Sequence, residues 1–388
     1  MTMIPCPLCT GHATRNVYQS DAAFLGNMTH DSILFTLELC LTCGFVYQSS
    51  AYQPEYQSLM SQAYAKYDVN SHFPFPDRSE KNTAPLERIL AYGRPGHESP
   101  SILEIGSNRG DLLYLLKERL PQANILGLEP TNFNNLSVPT VHANFRADLF
   151  SNRFDIIIMK HVLEHLPYPR SVATDLFHRL NPGGILYIEV PDLQLSLEHG
   201  AEDFVPDHVS YFTGETLADC LDQFAIIHQD RSNFLSVVAT HRLSTDVREV
   251  RQSAPSTTLL TDHFVQFDAD KKRLSDAIVT HAKGGGSIIF YGISYYFNRL
   301  FKELLNQGLP RERCFHFDDN FQGTQEPGFG LPRLSPFADD GQSGAMIVLC
   351  SNNFRVQKQM ATHLIHGGFQ GHLLYPWSNL VPNAGQPT

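Results

Sequence analysis

Short apolar runs alternate with amphipathic stretches through the middle of the chain. SILEIG, NILGLEP, FDIIIM and GGILYIEV each read as a buried strand, and DLLYLLKERL after the first reads as a helix. Strands separated by helical patterns predict a parallel sheet with crossover helices over about residues 78–245. A polar stretch from 246 to 283 predicts a connecting helix. SIIFYGIS, CFHFDD and AMIVLCS then repeat the strand-and-turn pattern, which predicts a second, smaller α/β unit. Residues 1–75 differ in texture, with two CxxC pairs followed by Tyr52, Tyr56, Tyr64 and Tyr67. The expected division is therefore 1–75, 76–245 and 246–388.

Composition narrows the function classes. With 388 residues there is room for two or three cores, and a formal charge of −11 argues against general binding to nucleic acid or an anionic membrane. No run approaches the roughly 18 apolar residues that span a bilayer. The opening MTMIPCPLC has no basic stretch followed by an apolar core. A cytoplasmic protein is expected, and Cys220, Cys314 and Cys350, lying singly, are expected to be buried and inert.

Cys6 and Cys9 form CPLC, and Cys40 and Cys43 form CLTC about 30 residues later. Two such turns can aim four thiolates at one tetrahedral Zn2+, and a site filled by four sulfurs leaves no position for substrate, so the expected metal is structural. Two unrelated CxxC turns or a redox dithiol are the competing readings, and the weak basic character of residues 1–75 disfavours a zinc ribbon that binds nucleic acid.

The strand ending at Glu104 runs into Gly106-Ser-Asn-Arg-Gly110, a turn in which the backbone can approach a ligand. It departs from GxGxxG and has no P-loop lysine, which favours a nucleoside with an amino-acid tail over a pyrophosphate cofactor. Glu129 ends the next strand about 20 residues on, where a carboxylate can accept both ribose hydroxyls. The strand FDIIIM exits into His161-Val-Leu-Glu164-His165 at the sheet's carboxyl edge, where open α/β sheets bind ligands. In order and spacing these motifs resemble a class I S-adenosylmethionine (SAM)-dependent methyltransferase. The resemblance implies that Glu104, Gly106 and Gly110 line the methionine and ribose region and that Glu129 holds the ribose. For the adenine, either Asn144 or Asp148 is available, with Phe145 against the ring.

Over nearly the whole chain the sequence is similar to the sugar C-methyltransferases, which combine a four-cysteine zinc segment, a SAM domain whose first motif reads EIGSN followed by Gly, and a C-terminal Rossmann-like domain. Here the last corresponds to SIIFYGISYYFNRL followed by FDDNFQG. The likeness implies methyl transfer to carbon of a nucleotide-linked keto-deoxysugar through an enolate, with the third domain helping to enclose the nucleotide sugar near Tyr295, Tyr296 and Asn298. The family places a histidine after the fourth strand, matched by His165. It also has a Tyr-His-Glu-His stretch, here Val205-Pro206-Asp207-His208, so the last histidine matches, Asp207 replaces Glu, and the Tyr and first His are absent. The expected base is His208, oriented by Asp207, with His165 as a second base or as a donor to the enolate oxygen. Tyr67 falls where the family has a tyrosine reaching the cofactor's methionine end. The departures leave open an O- or N-methyltransferase acting on a sugar or other natural product, and a non-catalytic SAM-binding protein.

Overall fold

The computed structural model describes residues 4–23, 32–58, 80–93, 98–133, 136–199, 204–205, 207–242, 257–293, 295–319, 324, 328–337, 344–351, 354–369 and 371–374. The chain begins with strands β1 (Thr14–Ala23), β2 (Ser32–Cys40) and β3 (Val46–Gln48), followed by helix α1 (Glu80–Tyr92). Next come β4 (Ser101–Ile105), α2 (Asp111–Arg119), β5 (Asn124–Leu128), β6 (Thr140–Val141), β7 (Phe154–Lys160), α3 (Pro169–Arg179) and β8 (Leu180–Val190). Helix α4 (Leu193–His199), β9 (Ser210–Tyr211), α5 (Gly214–Cys220), β10 (Phe224–Asp230) and β11 (Leu235–His241) complete this part. The remainder is α6 (Thr257–Lys283), β12 (Ile288–Tyr291), α7 (Tyr295–Asn306), β13 (Cys314–Phe317), β14 (Met346–Leu349), α8 (Phe354–His366) and β15 (His372–Leu374).

Two compact units partition these elements: residues 1–16, 36–193 and 207–255 form one, and residues 17–35, 194–206 and 256–388 form the other. In the first, a seven-stranded sheet has the order β10-β11-β8-β7-β4-β5-β6. The strands from β8 to β6 are parallel, β11 runs antiparallel to β8, and β10 antiparallel to β11. Successive residues of the central strands feed two cores. Leu103, Ile105, Ile157, Met159, Leu186 and Ile188 lie in one, and Ile102, Ile156, Ile158, Ile185 and Tyr187 in the other. Parallel strands covered on both faces need such continuous apolar runs, which is why the sequence pattern is so plain here.

Two features complicate the simple alternation of strands and helices. Asn181-Pro-Gly-Gly interrupts the ladder inside β8: the pairing with β7 shifts register between Phe154 and Ile156, and Gly183 takes a φ of 78°. The cysteine segment shares a core with the central sheet, as buried Cys6, Leu8, Cys40 and Phe45 join the cluster containing Leu103 and Ile157, and β3 pairs with β9 (Val46 with Tyr211). Residues 1–75 and the compact units are thus different partitions. The reason is that a segment with so few apolar side chains completes its burial on a larger neighbour.

In the second unit a parallel sheet has the order β13-β12-β14-β15. Alternate residues of β12 again face two cores, Ile288 and Phe290 on one side, Ile289 and Tyr291 on the other. Helix α6 is the helix expected within 246–283. Among the described residues no helix is long and apolar enough to cross a membrane.

Candidate functional site

The turn after β4 is held by backbone bonds to the end of β5: the Gly106 N–H donates to the Leu128 carbonyl at 2.8 Å and the Ser107 N–H to the same oxygen at 3.2 Å. Gly106 has a φ of 72°, and a Cβ there would meet Val162 Cγ2 at 2.2 Å. The glycine is therefore required by the loop after β7 as well as by any ligand approaching the turn. A Cβ on Gly110 would likewise meet Val138 Cγ2 at 2.2 Å.

Glu104 is buried beneath this turn, and its Oε2 accepts no hydrogen bond among the described residues. Burial pushes its pKa up to about 8, with Lys160 acting in the opposite sense. A buried carboxyl oxygen with no donor fits a cationic ligand group, such as the ammonium of an amino-acid tail. Glu129, also buried, accepts the Asn108 N–H at 2.9 Å on Oε2 and the Thr131 N–H at 2.9 Å on Oε1. Its carboxylate thereby fixes the turn at the position expected to face a ribose. At the expected adenine region Asp148 is exposed and paired with Arg146 (2.6 Å), and Asn144 is exposed. Tyr67 lies outside the described residues, as do the side chains of Tyr295, Tyr296 and Asn298.

A second cluster stands beside the first, because Val162, which touches Gly106, precedes a 3-10 turn at Leu163–His165. His161 leaves β7 with a φ of 52°, an unusual conformation for a side chain with a Cβ. Its ring lies between two buried carboxylates, with Nδ1 3.4 Å from Glu164 Oε1 and Nε2 3.3 Å from Glu189 Oε1. Burial opposes a charge on His161, but the two carboxylates outweigh it and push its pKa up to about 9. Burial also works against the charged forms of Glu164 and Glu189, yet His161 holds both below the usual range. Tyr187 donates a 2.6 Å hydrogen bond to Glu189 Oε2.

His165 and His208 come together across 43 residues, their rings perpendicular (71°) with centroids 4.8 Å apart. His165 Nδ1 is 2.9 Å from the Asp207 backbone carbonyl, which makes Nδ1 the donor and leaves the lone pair on Nε2. Asp207 Oδ2 lies 3.6 Å from His165 Nδ1. Asp207 thus touches His165 chiefly through its backbone. The Val209 N–H donates to the Glu164 carbonyl at 2.8 Å, a backbone bond that joins the two segments, and within the second the Tyr211 hydroxyl donates to the His208 carbonyl at 3.0 Å. Expected residues His165, Asp207 and His208 are brought together. His161, Glu164 and Glu189 belong to the same cluster but carry no role in the sequence reading. The available signal was the HxxEH spacing at a strand end.

The four N-terminal sulfurs also converge. Cys6 and Cys43 Sγ are 3.7 Å apart, and Cys9 and Cys40 Sγ are 3.5 Å apart. Sulfurs bound tetrahedrally at about 2.3 Å from Zn2+ stand about 3.8 Å from one another, so the donor set fits that ion. Two matching turns build it: the Thr10 N–H donates to the Cys6 carbonyl at 2.8 Å and the Gly44 N–H to the Cys40 carbonyl at 2.9 Å. Cys220, Cys314 and Cys350 are buried, with their thiols pushed upward by burial.

Residues 76–225 match the family described as Methyltransferase domain. Trans-aconitate 2-methyltransferase of Azoarcus sp. (strain BH72) is 28% identical over 132 residues, which are 32% of this chain and 51% of that protein. The tRNA U34 carboxymethyltransferase of Nautilia profundicola is 26% identical over 104 residues, covering 24% of this chain and 34% of that protein. The chain spans about half the length, or less, of the curated relatives it matches. A solved structure, the Burkholderia thailandensis 1,6-didemethyltoxoflavin-N1-methyltransferase with S-adenosylhomocysteine, is 19% identical, covers 51% of this chain and 95% of its own, and has a TM-score of 0.39. The matched segment holds the parallel strands β4 to β8, and the mixed seven-stranded sheet, which β10 and β11 complete as far as His241, has the class I methyltransferase, Rossmann-like α/β fold.

Proposed function

We propose that the protein is a SAM-dependent methyltransferase acting on a small-molecule acceptor. The observation that carries the reading is Glu104, a buried carboxyl whose Oε2 accepts no hydrogen bond, lying directly under the glycine turn of a methyltransferase domain. In this reading Glu104 takes the ammonium of the cofactor's amino-acid tail, the turn from Gly106 to Gly110 lies along it, and Glu129 takes the ribose. Bound there, the cofactor supplies an electrophilic methyl group on a sulfonium. Tyr67 is proposed to close the methionine end.

His165 and His208, with Asp207 beside them, are the acceptor-side groups. They bring nitrogen lone pairs to the place where an acceptor loses a proton or develops negative charge. The finer proposal is a carbon acceptor next to the ketone of a nucleotide-linked deoxysugar. It is supported by the four-cysteine segment, the EIGSN motif and the C-terminal α/β unit occurring in one chain. Zn2+ held by Cys6, Cys9, Cys40 and Cys43 is proposed to be structural, since four sulfurs leave no coordination position for an acceptor.

Titration calorimetry with SAM, followed by methyl transfer to a panel of keto-sugar nucleotides and of hydroxyl and amine acceptors, tests the reading. Micromolar SAM binding and transfer to a keto-sugar carbon are expected. No heat with SAM would overturn the assignment, and transfer confined to oxygen or nitrogen would overturn the carbon acceptor alone.

A further inference from the structure

A nitrogen lone pair that can take a proton can also take a metal ion, and the third member of the acceptor-side cluster distinguishes the two uses. Glu164 is buried, and neither of its carboxylate oxygens accepts a hydrogen bond among the described residues, although His161 Nδ1 lies 3.4 Å from Oε1. Glu164 already has His161 as an ion-pair partner, and a cation between it and the two imidazoles would supply the direct ligand contact that both of its oxygens lack as hydrogen-bond acceptors.

The geometry suits such an ion. Ligand atoms of Glu164, His165 and His208 all lie within 4.8 Å of one another. A cation held tetrahedrally at about 2.1 Å from nitrogen and oxygen needs them about 3.4 Å apart, so the widest separation must close by up to about 1.4 Å through side-chain rotation. His165 is already aimed: with Nδ1 committed to the Asp207 carbonyl at 2.9 Å, Nε2 faces Glu164 Oε1 at 4.0 Å. Metal-binding histidines are commonly oriented by such a bond from the other ring nitrogen. Asp207 Oδ1, buried and accepting no hydrogen bond among the described residues, adds a second acceptor beside the cluster for a metal-bound water.

We infer that Glu164, His165 and His208 form a site for a divalent first-row transition cation, distinct in its ligands from the four-cysteine site. Two imidazoles and one carboxylate favour zinc, cobalt or manganese over magnesium and calcium, which take oxygen ligands. Three protein ligands leave coordination positions for an oxygen of the acceptor, whose developing negative charge the cation stabilises. In this arrangement His208 serves as a ligand instead of a base, the cation lowers the pKa of the acceptor bound to it, and the proton leaves to solvent water. The cation's catalytic use rests on the methyltransferase proposal, whereas its binding does not.

The test uses the full chain, stripped of metal with chelator and titrated with Co2+ under reducing conditions. Elemental analysis and the visible spectrum are both read. Cobalt on four thiolates gives intense ligand-to-metal bands, whereas cobalt on two imidazoles and a carboxylate adds only weak ligand-field bands. The wild type is expected to bind one more equivalent than either Glu164→Gln or His208→Ala, with the thiolate bands and the far-ultraviolet circular dichroism the same in all three. Equal stoichiometry in the wild type and a folded His208→Ala variant would overturn the inference. Calorimetry with SAM on the same samples separates the two readings: SAM binding without the extra cobalt removes only the cation site, and the extra cobalt without SAM binding removes only the methyltransferase.

Discussion

Glu104 is the residue whose environment has the clearest measurable consequence. Its carboxyl titrates near 8 in the folded protein because it is buried, against about 4.3 in an unfolded chain. Between those values the folded state holds a proton that the unfolded state has lost. The stability associated with that proton is complete below about pH 4 and is lost as pH rises through about 8. Cofactor-free wild-type protein is therefore expected to lose on the order of a few kcal/mol from this group between pH 5 and 9. Glu104→Gln should show a flatter profile in thermal denaturation across that range. The same substitution should weaken SAM binding by roughly 10- to 100-fold, the size of a lost hydrogen bond to a charged group. Equal pH slopes for the two proteins would show that Glu104 is not held protonated by its burial.

The element that recurs is the strand, glycine turn and second strand ending in an acid. In the first unit the Gly106 N–H donates to the Leu128 carbonyl at 2.8 Å and Glu129 accepts the turn N–H of Asn108 at 2.9 Å. The second unit repeats this, with the Gly292 N–H donating to the Phe317 carbonyl at 2.8 Å and Asp318 accepting the turn N–H of Ile293 at 2.8 Å. The two glycines differ in what crowds them, which leads to different rescues. At Gly106, with φ 72°, an alanine Cβ would meet a side-chain methyl of Val162. Gly106→Ala is expected to cost about 2–4 kcal/mol from the left-handed conformation and overpacking together, and adding Val162→Ala should restore the overpacking part. At Gly292, with φ 97°, the nearest atom is the Cys350 backbone oxygen at 3.0 Å, with Met360 Cε at 3.1 Å. Trimming Met360 to alanine should therefore not rescue Gly292→Ala, because a backbone atom cannot be trimmed. Chemical denaturation of the two double variants decides this, and rescue in both or in neither would contradict it.

At the scale of the whole molecule, the sharing of one core by the cysteine segment and the central sheet has a consequence for metal loss. Cys6 and Cys40 are in the cluster that includes Leu103, Ile157 and Leu186, whereas β12 and β14 have their own cores in the other unit. If the four sulfurs hold a structural ion, Cys40→Ser should destabilise the first unit by several kcal/mol. Amide exchange should then quicken in β3, β4 and β7 and stay unchanged in β12 and β14. Exchange that quickens only around the cysteines would mean that the segment and the sheet do not share stability.

The sequence alone determined the parts that depend on local pattern. Continuous apolar runs specify buried parallel strands, Gly106 marks the turn, Glu129 stands at a strand end, and the CxxC spacing brings two sulfurs of each pair to one side. Each of these follows from backbone preference and burial within a few residues. The four sulfurs, legible as two pairs, still needed the fold to meet. Tertiary structure alone decided that Glu164 is buried, that His161 lies between Glu164 and Glu189, and that His208 reaches His165 from 43 residues away. It also decided that Gly106 is constrained by Val162 and that the cysteine segment shares its core with the sheet. A Glu-His pair in a loop looks solvated in sequence, and only the packing of one segment on another removes its water and makes its charge demand a partner.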